Sequence, residues 1–345
     1  MAEIKSKIRT DRVRLADVVP LAGPYSLYVD PSSACNFSCS FCPTGHDDLV
    51  KKSYQRRALS FDIFTKLIDG LSEFPESLKV LRLNKIGEPT LNKRLVEMIR
   101  YAKRSRRVEW IDFATNGSLL KAKYLDELVG SGLNRLNVSL EGLTSADYLL
   151  NAKVDFNFNE LIDSLTRLRN MKPDFEILIK IPGDFVKTDR RKKIFYETFD
   201  NLADFLFIEE LTNIWPDFQV EQRAGVDTKT VGQYQAKITS GRNTCSVILY
   251  SLTVNSDGTV SACCSDWDQK IILGDLNTAS LKDIWHSEVH INLIRKHLAG
   301  ERQSHPVCGK CGHVSNAQLD DIDEDAPLIM QKYLTVQMPS QPMIP

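Results

Sequence analysis

The sequence predicts an α/β protein in which a six-stranded parallel sheet with helical crossovers precedes a small cysteine-bearing module. Two observations support this prediction. Short β-rich runs alternate with amphipathic helical runs between residues 26 and 213, and the eight cysteines fall into two well-separated groups. Serial β/α units imply parallel strands joined by helices, arranged as a doubly wound sheet or as a partial barrel. In both arrangements, ligands bind at the carboxyl ends of the strands.

Each predicted strand is a short run of mainly β-branched, aromatic and leucine side chains. The six runs are SLYVD (26–30), VLRLN (80–84), WIDFA (110–114), LNVSL (136–140), EILIKI (176–181) and FLFIEEL (205–211). Helical periodicity between them predicts SFDIFTKLIDGLSEF (60–74, with Ser60 as N-cap), LNKRLVEMIRYAKR (91–104), KAKYLDELVGSG (121–132), FNELIDSLTRLRN (158–170) and DRRKKIFYETFDNL (189–202).

The C-terminal third predicts a hairpin and a helix. SVILYSLTVNSDGTVSACC (246–264) indicates two strands with a turn at residues 256–258, and SLKDIWHSEVHINLIRKHLAG (280–300) indicates a helix that Gly300 ends. We expect the tail from Gln318 to be extended or poorly ordered. The predicted divisions are an N-terminal extension (1–25), the α/β domain (26–213), a linker (214–241), an auxiliary domain (242–315) and a C-terminal tail (316–345).

Charge and hydropathy narrow the functional classes. A net charge of −1, from 44 basic and 45 acidic residues, gives no electrostatic reason to expect nucleic acid or a membrane as a partner. The N-terminal segment MAEIKSKIRTDRVRL lacks the apolar core of a signal peptide, and no run is long enough to span a bilayer. We therefore expect a cytoplasmic protein. In a reducing compartment, clustered cysteines are more often metal ligands or catalytic groups than disulfides.

The first cysteine group has the spacing C-x3-C-x2-C, formed by Cys35, Cys39 and Cys42 directly after the first predicted strand. Three thiols this close cannot lie on one regular element, so they must wrap a loop around a metal centre. A zinc ion would need a fourth ligand, for which His46 is available. Alternatively, three cysteines leave one iron of a 4Fe–4S cluster open to an external chelator.

With Phe41 in the aromatic position, this segment resembles the C-x3-C-x-aromatic-C motif of the radical S-adenosylmethionine (SAM) superfamily. The resemblance implies a partial (β/α)6 barrel of the radical SAM type over residues 26–213. It also implies that Cys35, Cys39 and Cys42 hold three irons, and that SAM chelates the fourth through its amino and carboxylate groups.

Three further segments lie at strand ends, where members of the superfamily contact SAM. NKIGEP (84–89) resembles the G-G-E-P segment, with an isoleucine in place of the first glycine, and SLEG (139–142) resembles a serine–acidic pair near the SAM ribose. TNG (115–117) occupies the third strand end, where an ordinary Asn-Gly turn is the alternative. The resemblance implies SAM contacts for Phe41, Gly87, Glu88, Asn116, Ser139 and Glu141.

The second cysteine group resembles the C-x(9–15)-G-x4-C signature of the SPASM or twitch extension. Cys245 and Cys263 flank the Gly258 turn, so a hairpin would bring them together, and Cys308 and Cys311 supply a second pair. The residues alone also permit a four-cysteine zinc site. No cysteine follows Cys311, so the segment is most similar to the short twitch form. That form implies one auxiliary 4Fe–4S cluster, fully ligated by protein and suited to electron transfer.

The superfamily chemistry implied is hydrogen abstraction by a 5′-deoxyadenosyl radical, after a low-potential donor such as flavodoxin or ferredoxin reduces the cluster. Many relatives that modify peptides carry an N-terminal leader-binding domain, and only 34 residues precede Cys35 here. We therefore expect a small polar substrate, such as a sugar, an aminocyclitol or a nucleotide-sugar. On this hypothesis an alcohol becomes a ketone, and the electron passes to the auxiliary cluster.

Three other functions compete with dehydrogenation. A radical SAM epimerase would need a hydrogen-atom donor, for which the remaining thiol, Cys264, is a candidate, although Cys264 could equally be a small buried residue beside a ligand. Peptide maturation is the second alternative, and a non-enzymatic zinc- or cluster-stabilised binding protein is the third. The catalytic base is not identified. Candidate catalytic residues are Cys264, Arg82, Lys85, Lys180, Glu209 and Glu210.

Overall fold

The computed structural model describes residues 1–6, 12–171, 176–227, 229–317 and 320–335. Its strands are β1 (Glu3–Ile4), β2 (Ser26–Val29), β3 (Leu78–Arg82), β4 (Val108–Thr115), β5 (Arg135–Ser139), β6 (Glu176–Pro182), β7 (Phe205–Glu209), β8 (Ser251–Val254), β9 (Thr259–Ser261) and β10 (Ile272–Asp275). They form one sheet in the order β1-β7-β6-β5-β4-β3-β2-β8-β9-β10. Pairing is parallel from β1 to β8, and only the last two pairs are antiparallel. In the described chain the sheet stays open, as a partial barrel requires.

The α-helices of the described chain are α1 (Leu15–Val18), α2 (Asp47–Ser53), α3 (Phe61–Gly70), α4 (Leu95–Arg104), α5 (Ala122–Val129), α6 (Ser145–Ala152), α7 (Phe158–Asn170), α8 (Asp189–Phe199), α9 (Val220–Ala224), α10 (Leu281–Trp285), α11 (Glu288–Leu298), α12 (His313–Asn316) and α13 (Ala326–Leu334). The five predicted crossover helices are confirmed as α3, α4, α5, α7 and α8. Ser60 caps α3 as predicted, since its hydroxyl accepts a hydrogen bond from the Ile63 amide at 3.2 Å. None of these helices is long and apolar enough to cross a membrane.

Alternation along the parallel strands separates an apolar outer face from a polar inner face. Leu27, Leu81, Ile111, Leu136 and Ile179 are fully buried and belong to the main hydrophobic core. Because successive side chains of a strand point to opposite faces, the intervening residues lie on the inner face. These inner-face residues include Tyr28, Arg82, Asp112, Asn137, Lys180 and Glu209.

Two predicted elements have different boundaries in the structure. The second strand was predicted at residues 80–84, but β3 ends at Arg82, because Asn84 turns to accept a hydrogen bond from the Ala114 amide at 3.1 Å. The single helix predicted over residues 280–300 is instead two helices, α10 and α11. The break lies at Ser287, whose hydroxyl caps α11 by accepting from the His290 amide.

The predicted hairpin becomes part of the barrel sheet. Strand β8 pairs in parallel with β2 along its whole length, from Ser26 opposite Ser251 to Val29 opposite Val254. Its turn to β9 is confirmed, with Gly258 at φ +94° in the left-handed region. Sequence periodicity missed β10 and the two-residue strand β1, which pairs with β7.

The predicted disorder of the C-terminal tail is wrong for the residues that the structure describes. Helix α13 packs into the core through Ile329 and Tyr333, and the Lys332 ammonium donates to the Ala16 carbonyl at 2.6 Å. Arg14 of the N-terminal extension forms an ion pair with Asp325. Residues 336–345 of the tail, and residues 7–11 of the N-terminal extension, lie outside the described residues.

Candidate active site

The first three cysteines lie on a loop that begins after β2 and is fastened by backbone contacts. The Ser38 amide donates to the Ala152 carbonyl at 2.8 Å, and the Ser40 amide donates to the Asn151 carbonyl at 3.2 Å, so the end of α6 holds the loop. A Cβ atom at Gly45 would lie 2.2 Å from the Cys39 carbonyl oxygen. Only glycine therefore fits where the chain closes the loop.

The three thiols of this loop fit a metal centre. None forms a disulfide, and Cys35, Cys39 and Cys42 interact electrostatically with one another. Burial raises the pKa of each thiol, that of Cys35 to about 12, so bound metal is what would convert them to thiolates. Among the described side chains, no three metal-binding groups lie close enough to hold one ion. Three cysteine thiolates are the donor set of a 4Fe–4S cluster that keeps one iron open.

His46, the proposed fourth zinc ligand, is engaged elsewhere. Its Nε2 atom lies 2.9 Å from the Ser40 carbonyl oxygen, and its ring centroid lies 5.4 Å from that of Phe218. The neighbouring Phe41 packs against Phe185 at 5.9 Å between ring centroids. His46 therefore holds the loop against the segment that follows β7, and Phe41 holds it against the turn that follows β6. The predicted contact of Phe41 with SAM stays a prediction.

The other four predicted ligands converge from three segments of the C-terminal third. Cys263 interacts electrostatically with Cys245, Cys308 and Cys311, and burial raises the pKa of Cys311 to about 12. The guanidinium of Arg302 donates to the Cys308 carbonyl, and a Cβ atom at Gly312 would lie 1.8 Å from the Asn213 carbonyl oxygen. The four thiols are therefore neighbours, and the donor set of four cysteines fits a fully ligated cluster.

Glu88 joins the ends of β3 and β4. Its buried carboxylate accepts hydrogen bonds from the Thr90 amide (3.1 Å) and hydroxyl (2.6 Å), the Thr115 hydroxyl (2.6 Å) and the Asn116 amide (2.8 Å). A Cβ atom at the preceding Gly87 would lie 1.9 Å from the Ser32 carbonyl oxygen, so this segment passes directly against the cysteine loop. Four hydrogen bonds from the protein already occupy the carboxylate. The predicted contact between Glu88 and the SAM ammonium stays a prediction.

An ordinary Asn-Gly turn was the alternative to a SAM contact at Asn116, and the structure contains this turn. Its side-chain oxygen accepts from the Ser118 amide at 3.0 Å, and Gly117 has φ +77°. Its side-chain amide also donates to Asn36 in the cysteine loop at 2.9 Å. The turn therefore positions the loop, whether or not Asn116 also contacts SAM.

Ser139 and Glu141 lie beside the cysteine loop. Ser139 ends β5 and pairs in register with Lys180, whereas Glu141 lies beyond the strand. The Glu141 carboxyl group interacts with the Cys39 thiol, and burial raises the pKa of this carboxyl to about 7, against the attraction of Lys180. Their predicted role at the SAM ribose is consistent with this position and stays a prediction.

Four polar side chains on or near the inner face of the barrel are neither fully buried nor fully exposed. They are Tyr28, Arg82, Lys85 and Tyr234, and the space that they border is here called the inner cavity. Cys264 interacts electrostatically with all four. Cys264, the thiol not assigned to a cluster, is therefore next to the inner cavity as well as next to the predicted cluster ligand Cys263.

The candidate catalytic residues differ in their environments. Lys85 donates to the Asn255 side chain at 2.6 Å, and burial lowers the pKa of its ammonium, against the attraction of Asp30. Lys180 forms an ion pair with Glu209. Glu210 meets Lys229 at 3.5 Å in a separate ion-pair network with Asp184. Arg82 remains protonated in proteins and cannot act as a proton acceptor.

Tyr28, Asp112 and Tyr234 were missed as site residues. Alternation along the predicted strands already placed Tyr28 and Asp112 on the same face as Arg82 and could have identified them. Tyr234 lies in the segment interpreted as a linker. That segment folds back over the barrel, where the Glu210 amide donates to the Gln233 carbonyl at 3.2 Å, and no local sequence signal indicates this.

Comparison with known families agrees with the cysteine geometry. The radical SAM superfamily model matches residues 29–195, and the iron–sulfur cluster-binding SPASM domain matches residues 245–312. The chain belongs to the radical SAM superfamily. The match over residues 29–195 implies a 4Fe–4S cluster with SAM, and the match over residues 245–312 implies auxiliary iron–sulfur cluster binding, not zinc.

Solved radical SAM structures share this fold. BtrN in complex with AdoMet and 2-DOIA superposes with a TM-score of 0.55 at 18% identity, covering 87% of this chain and 97% of that chain. SuiB from Streptococcus suis bound to precursor peptide SuiA gives 0.60 at 13% identity, covering 88% and 72%. The enzyme anSMEcpe with bound AdoMet gives 0.57 at 17% identity, covering 89% and 96%. At these identities the likeness concerns the fold alone.

Curated relatives align over shorter segments. The tungsten-containing aldehyde ferredoxin oxidoreductase cofactor-modifying protein of Pyrococcus furiosus is 33% identical over 121 residues, or 35% of this chain and 32% of that protein. The GTP 3′,8-cyclase of Desulforamulus reducens is 29% identical over 119 residues, or 34% of each chain. The alignments thus span about a third of these relatives, whose names concern different substrates.

Proposed function

We propose that this radical SAM enzyme oxidises an alcohol of a small polar substrate to a ketone in the inner cavity. The supporting observation is a continuous series of polar interactions between the two cysteine groups. Glu141, beside Cys39, interacts with the Lys180–Glu209 pair. Glu209 interacts with Tyr234, which interacts in turn with Cys264. A substrate in this cavity would lie between the site of hydrogen abstraction and the auxiliary centre.

When bound, SAM and its cluster supply the radical that removes a hydrogen atom from the alcohol carbon, and the auxiliary cluster is the acceptor for one electron. Conversion of the alcohol to a ketone also requires the hydroxyl group to lose one proton. Lys85 is the proposed acceptor, because burial lowers the pKa of its ammonium and favours the neutral amine. Lys180 is a weaker candidate, because its ion pair with Glu209 favours the charged form.

The cellular setting is part of the same proposal. All eight cysteines are unbridged, and seven of them are assigned to clusters that need reducing conditions. We therefore infer a cytoplasmic enzyme that receives electrons from a low-potential donor such as flavodoxin or ferredoxin.

Epimerisation is the second candidate, and the position of Cys264 supports it. This thiol interacts with Tyr28, Arg82 and Tyr234 around the inner cavity, so it could return a hydrogen atom to a substrate radical. Epimerisation needs no electron acceptor. The two reactions therefore make opposite demands on Cys264 and on the auxiliary ligands.

The test uses anaerobically reconstituted enzyme with SAM, reductant and a panel of sugars, aminocyclitols and nucleotide-sugars in heavy water. Dehydrogenation predicts a product two mass units lighter without solvent deuterium, retained in Cys264→Ala and lost in Cys308→Ala. Epimerisation predicts an isomer carrying one deuterium, lost in Cys264→Ala while 5′-deoxyadenosine still accumulates. Turnover of a peptide panel with none of the small molecules processed would contradict both.

A further inference from the structure

The guanidinium of Arg82 has no hydrogen-bonding or ionic partner among the residues that the structure describes, although it lies deep in the inner cavity. Its contact is with the Tyr28 ring, whose centroid is 5.6 Å from Cζ. Burial opposes the charge, yet Tyr28 and Asp112 raise the pKa of Arg82, so the charge persists. An enclosed charge without a hydrogen-bonding partner in the protein is unfavourable unless solvent or a ligand supplies that partner.

Two other enclosed arginines donate hydrogen bonds to acceptors of the protein. Arg302 donates to two backbone carbonyls, those of Cys308 and, at 3.0 Å, Arg242. Arg135, on the inner face of β5, donates to Glu176 at 2.8 Å and 2.5 Å. Arg82 departs from this pattern at a position that borders the proposed substrate site.

The groups nearest to Arg82 are mainly donors. The hydroxyls of Tyr28 and Tyr234 form no hydrogen bond with any described residue, and both side chains interact with Arg82. Asp112 pairs in register with Arg82 on the neighbouring strand, but its carboxylate is not within the 4.0 Å of an ion pair in the described structure. Glu209, the carboxylate that interacts with Tyr234, is already paired with Lys180.

We propose that Arg82, with the hydroxyls of Tyr28 and Tyr234, binds a negatively charged group of the substrate, either a carboxylate or a phosphate. This deepens the proposed function and rests on it, because it places the substrate in the inner cavity. An anion site narrows the expected substrates from neutral sugars and cyclitols to acids, phosphate esters and nucleotide-sugars. A guanidinium can donate two parallel hydrogen bonds to such a group. Asp112, on the next strand, would then accept from a hydroxyl or ammonium group of the same molecule.

The test measures anion binding without turnover. Anaerobically reconstituted protein saturated with SAM, so that the open iron is occupied, is titrated calorimetrically with inorganic phosphate, pyrophosphate, malonate and neutral glycerol. We expect at least one anion to bind, glycerol not to bind, and Arg82→Gln to weaken the anion at least tenfold, which corresponds to about 1.4 kcal/mol. Tighter binding of phosphate would indicate a phosphate ester as the substrate, and tighter binding of malonate would indicate a carboxylic acid. Tyr28→Phe and Tyr234→Phe should each weaken binding less than Arg82→Gln.

Arg135→Gln is the matched control, since it removes a second inner-face guanidinium that already has a partner. Equal losses in Arg82→Gln and Arg135→Gln, or no anion binding by the wild type, would overturn the proposal. Iron content, melting temperature and SAM cleavage are measured on the same samples. Intact clusters and SAM cleavage without anion binding would reject this inference while leaving the proposed function standing. Absent clusters would instead reject the proposed function.

Discussion

Replacing Glu88 by glutamine tests how the strand ends are held beneath the cysteine loop. One carboxylate oxygen accepts three hydrogen bonds, from the Thr90 amide and hydroxyl and the Thr115 hydroxyl. The other accepts one, from the Asn116 amide at 2.8 Å. If the glutamine oxygen keeps the first three bonds, its NH2 group faces the Asn116 N–H, and two donors oppose each other.

The expected loss follows from these contacts. Leaving one buried N–H unsatisfied costs about 1–3 kcal/mol, and the three remaining bonds lose their charge assistance. Burial raises the pKa of Glu88, so removing the charge recovers part of the loss. We expect a net destabilisation of about 1–3 kcal/mol. With an unfolding entropy of roughly 0.7 kcal/mol/K for a chain of this length, the melting temperature should fall by about 1–4 °C.

The assay is anaerobic thermal unfolding of the reconstituted protein, with Glu97→Gln as the control. Glu97 lies on α4, is half exposed and forms an exposed ion pair with Arg94, so its replacement should leave the melting temperature nearly unchanged. Equal melting temperatures for Glu88→Gln and wild type would refute the structural argument. SAM affinity is measured in parallel. A weaker affinity at an unchanged melting temperature would mean that Glu88 acts mainly on the cofactor, as the resemblance implied.

Four further predictions concern the clusters, the loop, a buried acid and SAM. Replacing the three N-terminal cluster cysteines by alanine should reduce iron from about eight to about four per chain, measured by iron and sulfide analysis, and abolish SAM cleavage. Gly87→Ala should impair cluster assembly, seen as reduced cluster absorbance after reconstitution, because its Cβ atom would lie 1.9 Å from the Ser32 carbonyl oxygen. Burial raises the pKa of Asp30 from 3.8 to about 6, so the folded state holds this proton more tightly than the unfolded state. The stability of Asp30→Asn relative to wild type should therefore rise between pH 4 and pH 7, by up to about 3 kcal/mol, and a difference that does not vary with pH in chemical unfolding would contradict this. Ser139→Ala should weaken SAM binding in calorimetry without changing iron content, and unchanged affinity would place the SAM site elsewhere.

Local sequence signals predicted the barrel because apolar residues recur at different spacings in its strands and in its helices. The outer-face residues of β2 to β7 are mostly apolar, and the crossover helices have clear amphipathic patterns, so most boundaries agree within a few residues. β1 and β10 were missed because neither shows a distinctive pattern. Strand β1 is only two residues long, and β10 contains Gly274 packed against Ile284. The tail helix α13 was missed because an acidic segment and a proline hide its few apolar contacts.

The site could be predicted where ligands follow one another closely in sequence, and not where tertiary contacts create it. The spacing of Cys35, Cys39 and Cys42 indicated a metal centre directly. The inner cavity depends instead on which side chains of different strands face one another, and on a segment that folds back over the barrel. Tyr234 belongs to that segment, so only the three-dimensional structure brings it to Arg82.

The pairing of β8 with β2 has a mechanical consequence. Four consecutive residues of the second module are hydrogen-bonded to the strand that leads into the cysteine loop. Moving the auxiliary centre away from the first centre would therefore require breaking a main-chain ladder, which is more costly than swinging a tethered domain. In the proposed dehydrogenation, an electron leaving the substrate would cross a gap that is set by β-sheet geometry. The length of the connecting segment at residues 214–241 would have little influence on that gap.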